Sequence, residues 1–133
     1  MIYLDSNVFI YATLGRAKEG SWCRDLIRGV TKGGEEAVTS ALTVDEVVYQ
    51  VRMSRGLEAS IQAGEAVLQM AHLAVAAADA ETLWKSLELG RKLGLHPRDA
   101  IHAATALLRG TPEFISEDAD FDKVDGLRRR WMR

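Results

Sequence analysis

Apolar positions along the chain switch repeatedly between short unbroken runs and helical spacings. Ile2-Tyr3-Leu4 is an apolar run that stops at Asp5, the pattern of a strand buried on both faces. Asp5-Ser6-Asn7 then offers helix-capping residues in a row. Val8, Tyr11 and Ala12 follow at the i, i+3, i+4 spacing of a short helix. Trp22, Leu26 and Val30 recur every fourth residue, which predicts a helix over about 19–31, stopped by Lys32-Gly33-Gly34. Ala37 to Ser40 reads as a second strand. Thr43-Val44-Asp45-Glu46 matches a capping box, with Thr43 as cap and Glu46 in the first helical turn. Val44, Val47, Val48 and Val51 give that helix one apolar face, and Gly56 ends it. A further helix is expected from Leu57 to Met70, with Ile61 and Leu68 a heptad apart. His72 to Ala76 is a third strand. Asp79 caps a helix to about Leu93 that carries Leu83, Leu87 and Gly90 on one side. Pro97 suits the first position of the next helix, which ends near Gly110, and Glu113 to Ser116 is a short final strand. Trp22 and Trp84, at helical spacing among apolar neighbours, are assigned to the core.

Strands alternating with helices predict an α/β fold of three layers, α/β/α, around a short-stranded, mainly parallel sheet. The 133 residues suit a single domain over 1–133, without repeats or linkers. With 17 basic against 19 acidic side chains the net charge is −2, which excludes a nucleic-acid binder that works by bulk charge alone. Cys23 is the single cysteine, so neither an intrachain disulfide nor a Cys-rich zinc site is available. The opening residues have no basic start, and Asp5 breaks their apolar run, which argues against a signal peptide. No apolar stretch approaches the roughly 18–20 residues of a membrane helix. The expected setting is the reducing cytoplasm, away from any membrane.

The position of the carboxylates says more than their number. Asp5 ends the first strand, Glu46 opens the helix after the second, and Asp118 follows the last. Asp99 lies in the first turn of the helix that leads back into that strand. In a parallel sheet all four converge on the carboxyl edge, where open α/β sheets bind their ligands. Each has a structural reading when taken alone: a capping box for Glu46, a helix dipole for Asp99, a turn for Asp118. Together they are costly unless some protonate or a cation neutralises them. Two unit charges about 5 Å apart at an effective dielectric of ~20 repel by roughly 3 kcal/mol. Carboxylates without a His/Cys set suit a hard ion, Mg²⁺ or Mn²⁺. Such an ion lowers the pKa of a bound water and holds phosphoryl oxygens in line.

Four blocks of sequence also resemble a family. Ile2-Tyr3-Leu4-Asp5-Ser6-Asn7 looks like the opening of PIN-domain ribonucleases, and Thr43-Val44-Asp45-Glu46-Val47 resembles their second motif. Arg98-Asp99-Ala100-Ile101-His102-Ala103-Ala104-Thr105-Ala106 is similar to the third, and Ile115-Ser116-Glu117-Asp118-Ala119-Asp120-Phe121-Asp122 to the fourth. The blocks occur in family order, and the chain length is similar to that of VapC toxins. The resemblance implies a Mg²⁺- or Mn²⁺-dependent endoribonuclease with Asp5, Glu46, Asp99 and Asp118 as metal-binding catalytic acids. It implies Ser6 as the hydroxyl that orients Asp5, Ser116 as the hydroxyl of the fourth motif, and Asn7, Asp120 and Asp122 as auxiliary residues. Asp120 and Asp122 remain unranked. It further implies a VapB-type antitoxin and a homodimer; the apolar Phe9, Ile10 and Tyr11 exceed what one face of a short helix buries.

Arg98, Arg128, Arg129 and Arg130, with Arg16, Lys18 and Arg133, are candidates for holding RNA phosphates. Trp131 either stacks on a base or packs on the domain. His102 is read as a packed or hydrogen-bonded structural histidine. Two rival functions remain: an inactive binding module on the same fold, and a small phosphatase using Asp5 as nucleophile. The second lacks the aspartate such enzymes often carry two residues on, where this chain has Asn7.

Overall fold

In the computed structural model, which describes residues 1–132, the chain alternates strands and helices from end to end. The strands are β1 (Ile2–Leu4), β2 (Ala37–Ser40), β3 (Leu73–Ala76), β4 (Glu113–Ile115) and β5 (Arg128–Arg130). The helices are α1 (Ser6–Leu14), α2 (Ala17–Thr31), α3 (Ala41–Arg55), α4 (Leu57–Gln69), α5 (Ala80–Leu93) and α6 (Pro97–Leu108). A 3-10 turn covers Ala119–Lys123. The sheet is parallel throughout, in the order β3-β2-β1-β4-β5. The expected α/β fold with a parallel sheet is therefore present.

β1 lies at the centre, and its side chains alternate between two cores as strand geometry requires. Ile2 and Leu4 join a core closed by α1 to α4, with Val8, Cys23, Val47 and Val67. Tyr3 faces the other core, closed by α5 and α6, with Phe114, Leu89 and Ala103. Burial of all three β1 residues explains why that segment reads as an unbroken apolar run.

Several expectations are corrected. The cap of α3 is Ser40, whose hydroxyl accepts from the Leu42 N–H at 3.0 Å, and not Thr43. Thr43 is buried inside the helix and meets Thr39 Oγ1 at 2.7 Å, while Thr39 donates to the Leu4 carbonyl at 2.7 Å. Glu46 therefore stands beyond the first turn. Ile61 and Leu68 are exposed, because α4 buries Ser60, Gly64 and Val67 instead. Trp84 is 74% exposed, and Leu83 and Leu87 share that open surface of α5. β5 was not foreseen: three arginines carry no apolar signature, and an edge strand needs none. The apolar excess of α1 is largely absorbed within the chain, since Phe9 is buried and Tyr11 packs on Trp131. Trp131 also meets Trp22 at 5.0 Å, so it packs on the domain.

Gly64 permits the close approach of α4 to α3. A Cβ there would lie 2.7 Å from Val48 Cγ2. Gly64→Val is expected to lower stability by about 1–3 kcal/mol through overpacking, read as a fall in melting temperature by calorimetry.

Candidate metal centre

The carboxyl edge of the sheet gathers acids from distant segments. Asp5 follows β1, caps α1 and is 5% exposed. Its Oδ1 accepts from the Ser6 N–H at 2.8 Å, and its Oδ2 accepts from the Ser116 hydroxyl at 2.6 Å and from Asn7 Nδ2 at 3.3 Å. The hydroxyl that orients Asp5 is thus Ser116, and Ser6 contributes its backbone. Ser116 Oγ also accepts from the Asp118 N–H at 3.0 Å, so one side chain ties the end of β4 to the loop that carries Asp118. Asp118 in turn accepts from the Asp120 N–H at 2.9 Å and caps the 3-10 turn.

Asp99 enters from the first turn of α6, where Pro97 starts the helix. Oxygens of Asp99, Asp118 and Asp120 lie within 4.8 Å of one another. Burial and the charges of Asp118 and Asp5 push the Asp99 carboxyl up to about 6. Burial also raises Asp5, against the opposing effects of His102 and Ser116. Glu46 comes from α3 and joins the edge through His102, whose Nε2 lies 2.6 Å from Glu46 Oε1 and 3.5 Å from Asp5 Oδ1. Asp45 is exposed, as its position about 100° around the helix from Glu46 requires. Asp122 turns away and forks onto Arg129 at 2.9 and 3.3 Å.

The donors fit a hard divalent cation. They are carboxylate oxygens from separate segments, close enough to raise one another's affinity for a positive charge. Asn7 Oδ1 beside them is buried without a hydrogen-bond partner among the described residues. An amide oxygen is also a hard donor, and leaving it unpaired costs free energy.

The PIN domain model matches residues 2–127. This chain belongs to the PIN domain family. Solved structures share its fold at low identity. VapBC2 of Rickettsia felis bound to a promoter DNA fragment superposes with a TM-score of 0.75 at 19% identity, covering 98% of each chain. A toxin–antitoxin complex from Klebsiella pneumoniae gives 0.69 at 20% identity over 96% of each chain. VapC20 of Mycobacterium tuberculosis, a sarcin-ricin loop cleaving toxin, gives 0.76 at 15% identity over 92% of this chain and 93% of its own. No curated protein matches the sequence.

Around the acids of this PIN domain the expected basic residues divide. Arg98 is exposed, makes no ion pair among the described residues, and lines two open cavities, one with Glu46 and Tyr49, the other with Asp99 and His96. Arg129 is committed to Asp122 and the Ser116 carbonyl, and Arg130 to Glu113 at 2.8 Å. Arg128 is exposed on the edge strand, and Arg133 lies outside the described residues. The sequence reading missed Tyr3 as a polar neighbour of the acids. Its signal was a phenol in a fully buried strand, which must find a partner; it meets His102 Nδ1 at 2.7 Å.

Proposed function

We propose that this PIN domain is a divalent-metal-dependent endoribonuclease, the toxin of a VapBC-type toxin–antitoxin pair. The observation that carries the reading is the cluster of Asp99, Asp118 and Asp120 beside the buried Asp5, in a chain of the PIN family. Asp5, Asp99, Asp118 and Glu46 would hold Mg²⁺ or Mn²⁺, with Asp120 the favoured auxiliary acid over Asp122. When bound, the ion supplies an activated water and charge neutralisation at the scissile phosphate. Ser116, the Ser6 N–H and Asn7 fix both oxygens of Asp5. Arg98, without an ion pair among the described residues, offers a cation to an adjacent RNA phosphate. Cleavage would leave a 5′-phosphate and a 3′-hydroxyl.

The geometry disfavours a phosphatase that attacks through Asp5. Asp5 is buried and held by hydrogen bonds to both oxygens, which leaves lone-pair room for a bare ion but crowds the in-line approach of a phosphoryl group. An antitoxin partner is supported by the fold shared with the toxin–antitoxin complex of Klebsiella pneumoniae. A homodimer is supported by α5, whose exposed Leu83, Trp84 and Leu87 form an apolar surface beside a groove that continues onto Ile101. Apolar patches of this kind commonly mark protein interfaces. Among the described residues no helix is long and apolar enough to cross a membrane.

Total RNA incubated with the protein and Mn²⁺ is expected to be cut internally. EDTA should stop the reaction, and Asp5→Asn should slow it by about 10²-fold or more, the equivalent of several kcal/mol of lost charge stabilisation. Cutting that persists under both conditions would refute the reading.

A further inference from the structure

One buried hydrogen-bond chain ends on an acid of that site, and its other two members have no role assigned above. It runs from Tyr3 in β1, through His102 in α6, to Glu46 in α3. Tyr3 is fully buried and its ring stacks on Phe114 at 4.9 Å with the planes 9° apart. His102 is 1% exposed and stands three residues after Asp99, one helical turn further into the fold. A buried imidazole with both nitrogens hydrogen-bonded has a defined orientation.

We propose that Tyr3 and His102 are positioning residues that fix the Glu46 carboxylate for cation binding. The inference rests on the reading of these acids as a divalent-cation site. An ionised carboxylate can only accept, so the 2.6 Å contact requires a proton on His102 Nε2. This holds whether the imidazole is neutral or charged. In the neutral ring Nδ1 is then the acceptor, and the Tyr3 hydroxyl donates to it at 2.7 Å. The phenol thereby selects the tautomer that holds Glu46. A glutamate has more side-chain freedom than an aspartate and sits on a different element from the clustered acids, so it gains most from such a tether. The bond engages Oε1 and leaves Oε2 available as a donor to a cation. The same Nε2 stands 3.5 Å from Asp5 Oδ1, so one N–H spans the two acids that lie outside the Asp99–Asp118–Asp120 group. Partners that orient ligating side chains typically change metal affinity or activity by about 10–100-fold when removed.

The test is calorimetric titration of the full chain with Mn²⁺ alone. It compares wild type, Tyr3→Phe, Glu46→Gln and the double variant. Tyr3→Phe keeps the ring on Phe114 and removes only the hydroxyl. It is expected to weaken binding about tenfold with an unchanged circular dichroism spectrum. In the Glu46→Gln background the same substitution should have no further effect, because Tyr3 acts through Glu46. His102→Gln, whose amide N–H can replace Nε2–H, should retain more affinity than His102→Leu; if neither folds, the Tyr3 cycle decides alone. Unchanged affinity in Tyr3→Phe, or a loss that adds in full to that of Glu46→Gln, overturns the inference while leaving the cation site standing. A wild-type protein that takes up no Mn²⁺ removes the cation site and the inference together.

Discussion

Asp99→Asn is expected to stabilise the metal-free protein and, under the proposed function, to slow RNA cleavage by orders of magnitude. The two effects have one cause. Asp99 shares its space with Asp118, Asp120 and Asp5, and its carboxyl is pushed from 3.8 up to about 6 by burial first and then by the charges of Asp118 and Asp5. The folded protein therefore binds this proton more tightly than the unfolded chain does. The contribution of Asp99 to stability is greatest below about pH 4 and is lost as the pH rises through 6. Asparagine keeps the shape and carries no charge, so at pH 7.5 it escapes that loss. Asp99 is only partly buried, and solvent screening reduces the gain to about 1 kcal/mol, or a few degrees in melting temperature. Thermal unfolding in EDTA at pH 7.5 and pH 4.5 measures it. The variant should melt higher at the first pH, and the gap should narrow at the second. In the cleavage assay the same variant should lose about 10²–10³-fold in rate, the usual scale for removing several kcal/mol of charge stabilisation from a transition state. A variant that is active, or that melts lower at pH 7.5, contradicts the placement of Asp99 among repelling charges at a cation site.

The second large effect is stabilisation by the cation itself. An ion that binds the folded state alone adds about 2.7 kcal/mol at one hundred times its dissociation constant. For a domain of this size that is on the order of 10 °C. Mn²⁺ should therefore raise the melting temperature strongly at pH 7.5. The increase should shrink at pH 5, where protons compete for Asp99. Asp118→Asn should lose most of it at both pH values. Equal shifts in wild type and Asp118→Asn would mean that the ion binds elsewhere, and no shift at all would support the inactive-module reading.

Much of the fold was legible because it is written in local rules. The burial of β1 on both faces makes Ile2-Tyr3-Leu4 an apolar run, and Asp79, Gly56 and Pro97 mark their helix boundaries with residues that cap, stop or start helices. The cap of α3 was misread because Thr43 and Glu46 match a capping box in spacing, while Ser40 lies nearer the strand end and is already in place to accept from Leu42. Trp84 of α5 was misassigned to the core for a related reason. Periodicity shows that a helix has an apolar face, but it cannot say whether this chain covers that face.

By itself the sequence determined the alternation of strands and helices, and with it the sheet edge to which Asp5, Asp99 and Asp118 had to come. Those positions follow from chain direction in a parallel sheet and need no knowledge of side-chain geometry. Only the tertiary structure decided which neighbours each acid has. It put Asp120 beside Asp99 and gave Asp122 to Arg129, and it made Ser116 rather than Ser6 the hydroxyl on Asp5. It also joined Tyr3 to Glu46 through His102. Hydrogen bonds and ion pairs form within about 3–4 Å, and side chains 99 or 111 residues apart reach that distance only through the packing of the whole domain.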